Sequence, residues 1–267
     1  MIESQIKQMS EVRRRAAAQL SPFDASLWLG RPEGFPLVEE MDAGRLAETA
    51  RGYGICGGLV SHWRSKTVSP QAGNTALSEC AGSLPAGLFT VMTGLPIMPG
   101  EAGPLPGSDG SHTSLKGVRV FPRSHGFPLT DWSVGGLCRW MIEQGLPLFI
   151  WHTELQWAEL YELARAFPGL VIVVESQPQK IIYHVRPLHA VMRDRPNVSV
   201  EVSNLTNTSF GWLVGSFGPE RFLFGSFLPA NDPLVPIGML VDSGLPEADQ
   251  MLIAGGNLRR LIGEETS

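Results

Sequence analysis

The sequence predicts an α/β protein, a single (β/α)8 TIM barrel with an extra N-terminal helix. Three observations support this fold. About eight short apolar segments recur at intervals of roughly 23 to 33 residues with helical segments between them, which is the period of a βα unit. The length of 267 residues suits one such domain, and no Pro/Gly-rich linker divides the chain. An open doubly wound sheet would require a glycine-rich phosphate loop after the first strand, and residues 23–32 contain none.

The composition excludes several classes of partner. Hydrophobic residues make up 43% of the chain and charged residues 18%, which is enough apolar material for a large core. The net charge is −5 and no basic patch stands out, so we expect no nucleic-acid partner. Cys56, Cys80 and Cys138 form no CxxC pair and are expected to be free thiols. The chain has no signal-type N-terminus and no run of about 18 apolar residues. We therefore expect a soluble, cytoplasmic protein with no membrane contact.

The first half of the chain begins with a helix over residues 2–19, and we assign residues 1–20 to a helical extension and 21–267 to the barrel domain. The predicted elements that follow are, in order, a strand over Phe23–Leu29, a helix over Met41–Gly52 with Asp42 as N-cap and Gly52 as C-cap, a strand over Ile55–His62, a helix around Asn74–Ala81 and a strand over Leu88–Leu95. A long Gly/Pro/Ser-rich loop, residues 96–114, is interpreted as a lid over a site or an excursion from the barrel.

The second half continues the alternation of strands and helices. Its predicted elements are, in order, a strand over Val118–Phe121, a helix over Asp131–Gln144 ended by Gly145, a strand over Pro147–Trp151, a helix over Leu155–Phe167, a strand over Leu170–Val174, a helix over Ile181–Arg195, strands over Val198–Val202 and Arg221–Phe224, and a closing helix ending in Ala254–Gly263. The sixth strand, LVIVV, is apolar on both faces, as a parallel strand covered by helices requires.

Four stretches together resemble the amidohydrolase-2 branch of the metal-dependent hydrolase superfamily, a group of barrel hydrolases and decarboxylases that act on small acids. The stretches are FDASLWLG, ELARAFPGLVIVVES, NVSVEVSN and GPERFLFGSFLP followed by GGNLRRLIG. The similarity spans Phe23 to Gly263, with residues 67–114 matched only by pattern. The resemblance implies the barrel fold, a homodimer, and a site at the carboxyl ends of the strands.

The sequence departs from this family at its metal ligands. The resemblance places a His-x-His pair where this chain has Ser26 and Trp28, a histidine where it has Ser176, and an aspartate where it has Phe227. Only His152 lies where the family has a ligand. One imidazole cannot hold a divalent ion that requires three or four ligands, so we expect no metal and no cofactor. The alternative is a rebuilt site for a divalent metal such as zinc, formed by His62, His152 and Glu175 or Glu201.

The polar residues at the strand ends supply the candidate site. We expect His152 to act as a general base oriented by Glu175 or Glu201, while Arg119 or Arg123 clamps a substrate carboxylate. The predicted catalytic residues are thus His152, Glu175 and Arg119, and the predicted substrate-binding residues are Ser26, Trp28, His62, Arg123, Ser176, Glu201 and Phe227. A different interpretation of Glu175 is structural, because a buried acid requires a partner, and an ion pair with Arg119 or Arg123 would provide one.

Two functions remain open at this point. The first is a pseudo-enzyme or small-molecule binder that keeps the barrel and has lost the metal site. The second is a metal-independent or rebuilt-metal hydrolase or lyase that acts on a small carboxylic acid, lactone or amide. A mouth filled by Trp28 and Phe227 favours the pseudo-enzyme, because bulky side chains at former ligand positions fill the metal cavity. An open pocket with Arg119 and His152 converging favours the binder or enzyme.

Overall fold

The computed structural model describes residues 2–35, 37–101, 103–107 and 114–264 of the chain. The predicted lid over residues 96–114 therefore lies partly outside the described residues. In the described part of that loop, Ile97 packs against Gly136 on a neighbouring helix. Nothing in the described part identifies the loop as a lid.

The described residues form one sheet of eight parallel strands that follow each other in chain order. The strands are β1 Phe23–Leu29, β2 Gly57–His62, β3 Leu88–Thr93, β4 Leu115–Val120, β5 Leu148–Trp151, β6 Ile172–Glu175, β7 Val198–Glu201 and β8 Phe222–Leu223. The chain after β8 returns to β1, where Ala25 N donates to Phe224 O at 2.9 Å and Trp28 N donates to Leu228 O at 2.9 Å. These bonds bring the first and last strands together, and the predicted (β/α)8 barrel is confirmed.

Helices cover the outside of the barrel and one precedes it. They are α1 Ile2–Leu20, α2 Ala43–Gly52, α3 Arg64–Thr67, α4 Pro70–Ala81, α5 Pro122–His125, α6 Asp131–Gln144, α7 Trp157–Ala166, α8 Val185–Asp194, α9 Asn207–Phe217, α10 Leu234–Val241, α11 Glu247–Met251 and α12 Asn257–Leu261. The extra N-terminal helix is thus present as α1. None of the described helices is long and apolar enough to cross a bilayer.

Local signals set several of the helix ends. Asp42 caps α2 as predicted, since its carboxylate accepts from Arg45 N. Gly145 ends α6 with a φ of 65°, the left-handed conformation that glycine adopts without steric cost. At the end of α2 the prediction is wrong, because the left-handed residue there is Gly54 rather than Gly52.

Several strand limits differ from prediction, and those of β4 and β8 have an identifiable cause. The fourth strand begins at Leu115, three residues before the predicted start, because Leu115 and Gly117 pair with β3. The eighth strand contains only Phe222 and Leu223. Arg221 belongs instead to a 3-10 turn, where its guanidinium donates to backbone carbonyls, including Val198 O at 2.9 Å. The pattern of apolar residues in a sequence does not predict that a long side chain donates hydrogen bonds to backbone carbonyls in this way.

The amino-terminal half of the barrel interior is filled by apolar side chains. These are Phe23, Ala25, Leu59, Val91, Phe149, Val173 and Leu223, with Leu258 and Ile262 from the closing helix region packed beneath them. All are buried. This layer closes the bottom of the barrel, so chemistry and ligand access are confined to the carboxyl ends of the strands.

Candidate functional site at the carboxyl ends of the strands

A cluster of buried aromatic rings fills the mouth of the barrel. Its members are Trp28, Trp63, Phe121, Trp151 and Phe227, with the partly buried Phe35 packed against them. Trp28 lies at the centre, with its ring centroid 4.8 Å from Trp63 and 5.5 Å from Trp151. We call this cluster the aromatic cap. Trp28 and Phe227 are both 0% exposed, so two predicted substrate-binding positions are filled by packed side chains.

Phe227 reaches the cap from an uncommon backbone conformation. Its φ is 60°, in the left-handed region that bulky residues rarely adopt. Its ring lies 5.6 Å from the rings of both Trp63 and Trp151. The strained backbone therefore holds an aromatic ring at the end of β8, where the resemblance places an aspartate in the family.

Beneath the cap lies a buried ion pair that crosses the barrel interior. Arg119 on β4 donates from Nε to Glu175 Oε2 at 2.8 Å and from Nη2 to Glu175 Oε1 at 2.6 Å. Its remaining terminal nitrogen, Nη1, donates to the hydroxyl of Ser61 on β2. Trp28 covers the guanidinium, with Arg119 Cζ 4.5 Å from the ring centroid. Arg119 is thus the partner of the buried acid Glu175, and both carboxylate oxygens of Glu175 accept hydrogen bonds from the guanidinium.

Glu201 at the end of β7 is surrounded by hydroxyl and amide donors. It accepts from Ser203 N at 2.6 Å, from Ser203 Oγ at 3.0 Å, from Gln177 Nε2 at 3.2 Å and from Ser176 N at 3.3 Å. Burial and the neighbouring charge of Glu175 raise its pKa to about 8. Glu201 is therefore mostly protonated at neutral pH and closes a network with Ser176, Gln177 and Ser203.

Asp24 is a third buried acid and lies on β1. Its Oδ1 accepts from Ser26 N at 2.7 Å and from Ser226 N at 3.1 Å, which joins β1 to the chain after β8. Burial raises the pKa of Asp24 to about 6, although these hydrogen bonds oppose the rise. Its Oδ2 is buried and accepts no hydrogen bond from the described residues. The same holds for Gln177 Oε1.

Ser26 and Ser176 belong to the hydrogen-bonded network below the cap. Ser26 Oγ accepts from Trp28 Nε1 at 3.1 Å and from Gln177 Nε2 at 2.5 Å. Ser176 Oγ accepts from Asn204 N at 2.7 Å. Both hydroxyls are fully buried. These serines link the ends of β1, β6 and β7 beneath the aromatic rings.

The His152 ring does not reach the side chains of Arg119 and Glu175. The backbone N of His152 donates to Glu175 O at 2.9 Å, but none of the hydrogen bonds of the described residues joins its ring to either of those side chains. The ring packs edge-on against His184 with centroids 5.3 Å apart. Burial, with His184 nearby, lowers the pKa of His152 to about 4, so the ring is neutral at physiological pH. Of the three predicted catalytic residues, the structure brings only Arg119 and Glu175 together.

Two predicted substrate-binding residues lie away from the barrel interior. His62 lines an outer groove of about 420 Å³ together with Gly30, Asp42 and Cys80. Burial lowers its pKa to about 4, and its Nδ1 accepts from Arg64 N. Arg123 is an exposed residue of α5. Neither belongs to the aromatic cap or to the polar network beneath it.

The sequence analysis missed several residues that build this region. Ser61 faces inward where His62 was expected, because alternate residues of a strand point to opposite faces. Trp63, Phe121 and Trp151 each follow or end a strand and complete the cap. The signal that could have found them is an aromatic residue at the carboxyl end of several strands, since strand ends share one end of the barrel.

The strand-end residues do not form a set of metal ligands. No three His, Cys, Asp or Glu side chains of the described chain are grouped so that they could hold a metal ion. Glu175 is occupied by Arg119, Glu201 by hydroxyl and amide donors, and the His152 ring packs on His184. These residues do not fit a tetrahedral or octahedral metal site.

Comparison with known proteins shows which solved structures share this fold. No family model matches the sequence, and no curated protein matches it either. Solved structures with the same fold include an uncharacterized TIM-barrel protein from Bordetella bronchiseptica, with a TM-score of 0.66, 19% identity, and coverage of 97% of this chain and 92% of that one. Amidohydrolase 2 from Bifidobacterium longum subsp. infantis aligns with a TM-score of 0.68, 16% identity, and coverage of 91% and 99%. An amidohydrolase from Burkholderia multivorans with bound zinc aligns with a TM-score of 0.65, 15% identity, and coverage of 91% and 99%.

The fold and the strand-end geometry define a (β/α)8 barrel whose carboxyl-end mouth is closed by aromatic side chains over a buried polar layer. Within that class, the chain has the fold of the amidohydrolase-2 proteins over nearly its whole length. The resemblance inferred from the four sequence stretches is therefore confirmed at the level of fold.

Proposed function

We propose that this chain is a divergent amidohydrolase-like barrel that has lost the usual metal site and acts as a pseudo-enzyme. The observation that carries the proposal is the aromatic cap. Trp28 and Phe227 occupy former ligand positions of the family, and both are fully buried in ring–ring contacts. A substrate would have to displace these rings to reach the polar layer below.

The polar groups that would bind a substrate are used internally. Arg119 has the planar fork that would clamp a substrate carboxylate, but Glu175 already accepts from two of its nitrogens. The ring of the candidate base His152 packs against His184, and none of the hydrogen bonds of the described residues joins it to the side chains of this pair. General-base catalysis requires the base within hydrogen-bonding reach of the proton that it removes. The arrangement supports a structural role for these side chains.

Loss of the metal site is part of the same proposal. The Burkholderia multivorans amidohydrolase of the same fold was crystallised with bound zinc. In this chain the positions that correspond to family ligands hold Ser26, Trp28, Ser176 and Phe227, and serine, tryptophan and phenylalanine are not the nitrogen, thiolate or carboxylate ligands that zinc prefers. The donor types present support a barrel that functions without this metal.

A second candidate function is a small-molecule binder or a metal-independent hydrolase or lyase. Buried, unpartnered oxygens at Asp24 Oδ2 and Gln177 Oε1 favour it, together with the raised pKa values of Asp24 and Glu201. Strongly shifted acids in the interior of a site are characteristic of acid–base chemistry. This function requires the aromatic cap to open and admit a small carboxylic acid, lactone or amide.

Thermal-shift and turnover measurements on the same protein separate the two functions. The pseudo-enzyme proposal predicts no saturable rise in Tm with a panel of small aromatic and aliphatic carboxylic acids, and no hydrolysis or decarboxylation of esters, lactones, amides and acids of that size. Turnover that is abolished by His152→Ala would contradict the proposal and support the enzyme. A saturable Tm shift without turnover would support the binder. The homodimer implied by the family resemblance stays a prediction, which sedimentation velocity would test.

A further inference from the structure

The guanidinium of Arg119 occupies a central position inside the barrel. It bonds to Ser61 on β2 and to Glu175 on β6, and these strands lie four apart in a closed order of eight. A side chain that contacts both therefore lies near the barrel axis. Trp28 covers it from the mouth at 4.5 Å, and Phe149 lies 5.7 Å from it on the side of the lower apolar layer.

The same region contains several buried carboxyl groups. Asp24, Glu175 and Glu201 are each 0% exposed; Glu175 and Glu201 are the last residues of β6 and β7, and Asp24 is the second residue of β1. Their charges are close enough for Glu175 to disfavour ionisation of both Asp24 and Glu201. Among the described residues, Arg119 is the only lysine or arginine whose side chain is buried. Arg119 therefore pairs with Glu175, whereas Glu201, which is mostly protonated, and Asp24 accept hydrogen bonds from hydroxyl and backbone donors.

We infer that the carboxylate of Glu175 and the face of the Trp28 ring form a cation site, and that its occupant is the tethered Arg119 guanidinium in place of a metal ion. The inference rests on the proposed function, since it explains how the barrel keeps buried acids without a metal. A carboxyl group in a low-dielectric interior is either protonated or paired with a cation, and Glu175 has a cation as its partner. The geometry here fits a guanidinium. Two of its nitrogens donate to the two carboxylate oxygens of Glu175, and the Trp28 ring lies over the guanidinium.

Removal of this side chain would leave a site of the same shape for a free cation. In Arg119→Ala we expect Glu175 to keep its position on β6 and Trp28 to keep its place in the aromatic cap, because neither backbone is changed. Free guanidinium has the charge, planarity and donors of the missing group. We therefore expect it to bind in the vacated space, and binding to the folded state alone raises Tm with a saturable dependence on concentration.

The test is chemical rescue of Arg119→Ala by millimolar guanidinium chloride, with sodium chloride at equal ionic strength as the salt control. We expect Tm of the variant to rise and saturate with guanidinium, and not with sodium. The parent protein should show no rise, because its site is filled. The double variant Arg119→Ala with Glu175→Gln should also show no rise in Tm, because the neutral amide that replaces the Glu175 carboxylate does not attract a cation. Arg139→Ala, which removes an exposed arginine paired with Asp131, is the matched control and should not respond.

The inference can still be tested if Arg119→Ala does not fold by itself. In that case the variant would be refolded by dilution with and without guanidinium, and near-UV circular dichroism would report native packing. Recovery of the native signal only with guanidinium supports the inference. An equal Tm or equal refolding with guanidinium and sodium overturns it. Turnover by the parent protein, or metal binding that persists in Glu175→Gln, would instead overturn the proposed function, so failure of one is distinguishable from failure of the other.

Discussion

At the scale of single residues, the ion pair between Arg119 and Glu175 is the most consequential contact of the candidate site. Glu175→Gln would leave a buried guanidinium without its counter-charge, and breaking a buried pair in this way costs about 3–5 kcal/mol. We expect the free energy of unfolding, measured by urea denaturation, to fall by about that amount. The control is Glu162→Gln, which removes an exposed partner of Arg165 and should change stability by about 1 kcal/mol or less.

Replacement of both members of the pair separates charge from packing. Arg119→Met together with Glu175→Met removes both charges and keeps apolar volume, so the double variant should be more stable than Glu175→Gln alone. If Glu175→Gln were as stable as the parent, the ion pair would not be the structural contact described above.

Glu201 provides a prediction for pH. Its folded-state pKa is about 8 against an ordinary value of 4.5, so the folded state binds more protons than the unfolded chain between these values, and stability falls as pH rises through them. The neighbouring Asp24 acts in the same direction but only up to about pH 6. His62 and His152, with pKa values lowered from 6.5 to about 4, act in the opposite direction below pH 6.5.

The diagnostic window for Glu201 therefore lies between pH 6.5 and 8. The parent's free energy of unfolding should decline across this window, and Glu201→Gln should flatten the decline. Glu48→Gln, an exposed substitution on α2, should keep the parent's slope. An equal slope in Glu201→Gln and the parent would mean that Glu201 ionises normally in the folded protein.

Prediction from sequence succeeded for single residues where burial of a charged group requires a partner. Glu175 follows an apolar run, and a buried acid requires a cation, so its pairing with an arginine could be predicted. It failed for His62, because an apolar pattern does not show which of two adjacent residues faces the barrel interior. The bulge in pairing between Asp24 and Leu27 further shifts which β1 side chains turn inward.

At the scale of elements, the aromatic cap is the feature that distinguishes this barrel mouth from an open pocket. Trp28→Ala would remove the central ring, and loss of a buried tryptophan costs about 3–5 kcal/mol. It would also open apolar surface at the mouth, so we expect lower stability in urea and increased binding of an apolar dye. The control is Trp132→Ala on α6, because that side chain is 81% exposed. Equal stability of the two variants would contradict a packed cap.

The elements themselves could be predicted where periodicity is strong. β1 and α6 have the predicted limits, and β6 is recognisable from its unbroken apolar run. The helices α9 and α10 could not be found in the same way. α9 contains no charged residue, and α10 has no polar side chain and is buried over most of its residues, so neither shows the charged outer face that marks a surface helix.

At the scale of the whole molecule, the sequence predicted the barrel because eight βα units impose a repeat that local errors do not obscure. The closure of the mouth was harder to predict, since it depends on rings from separate strands that meet only in the folded chain. Trp28 and Phe227 gave the hint, and Trp63, Phe121 and Trp151 completed the cluster. The same fold occurs in an amidohydrolase with bound zinc. The fold alone therefore does not determine the function, which depends on the residues of the site.

The central claim is that this barrel holds the buried carboxylate of Glu175 with Arg119 rather than with a metal ion. Elemental analysis of protein purified without chelator or histidine tag, repeated after addition of zinc and manganese, tests it most directly. The account predicts substoichiometric metal in both preparations and no rise in Tm on metal addition. One metal ion per chain that raises Tm and is lost in Glu175→Gln would contradict it, because the strand-end carboxylates would then bind a metal ion.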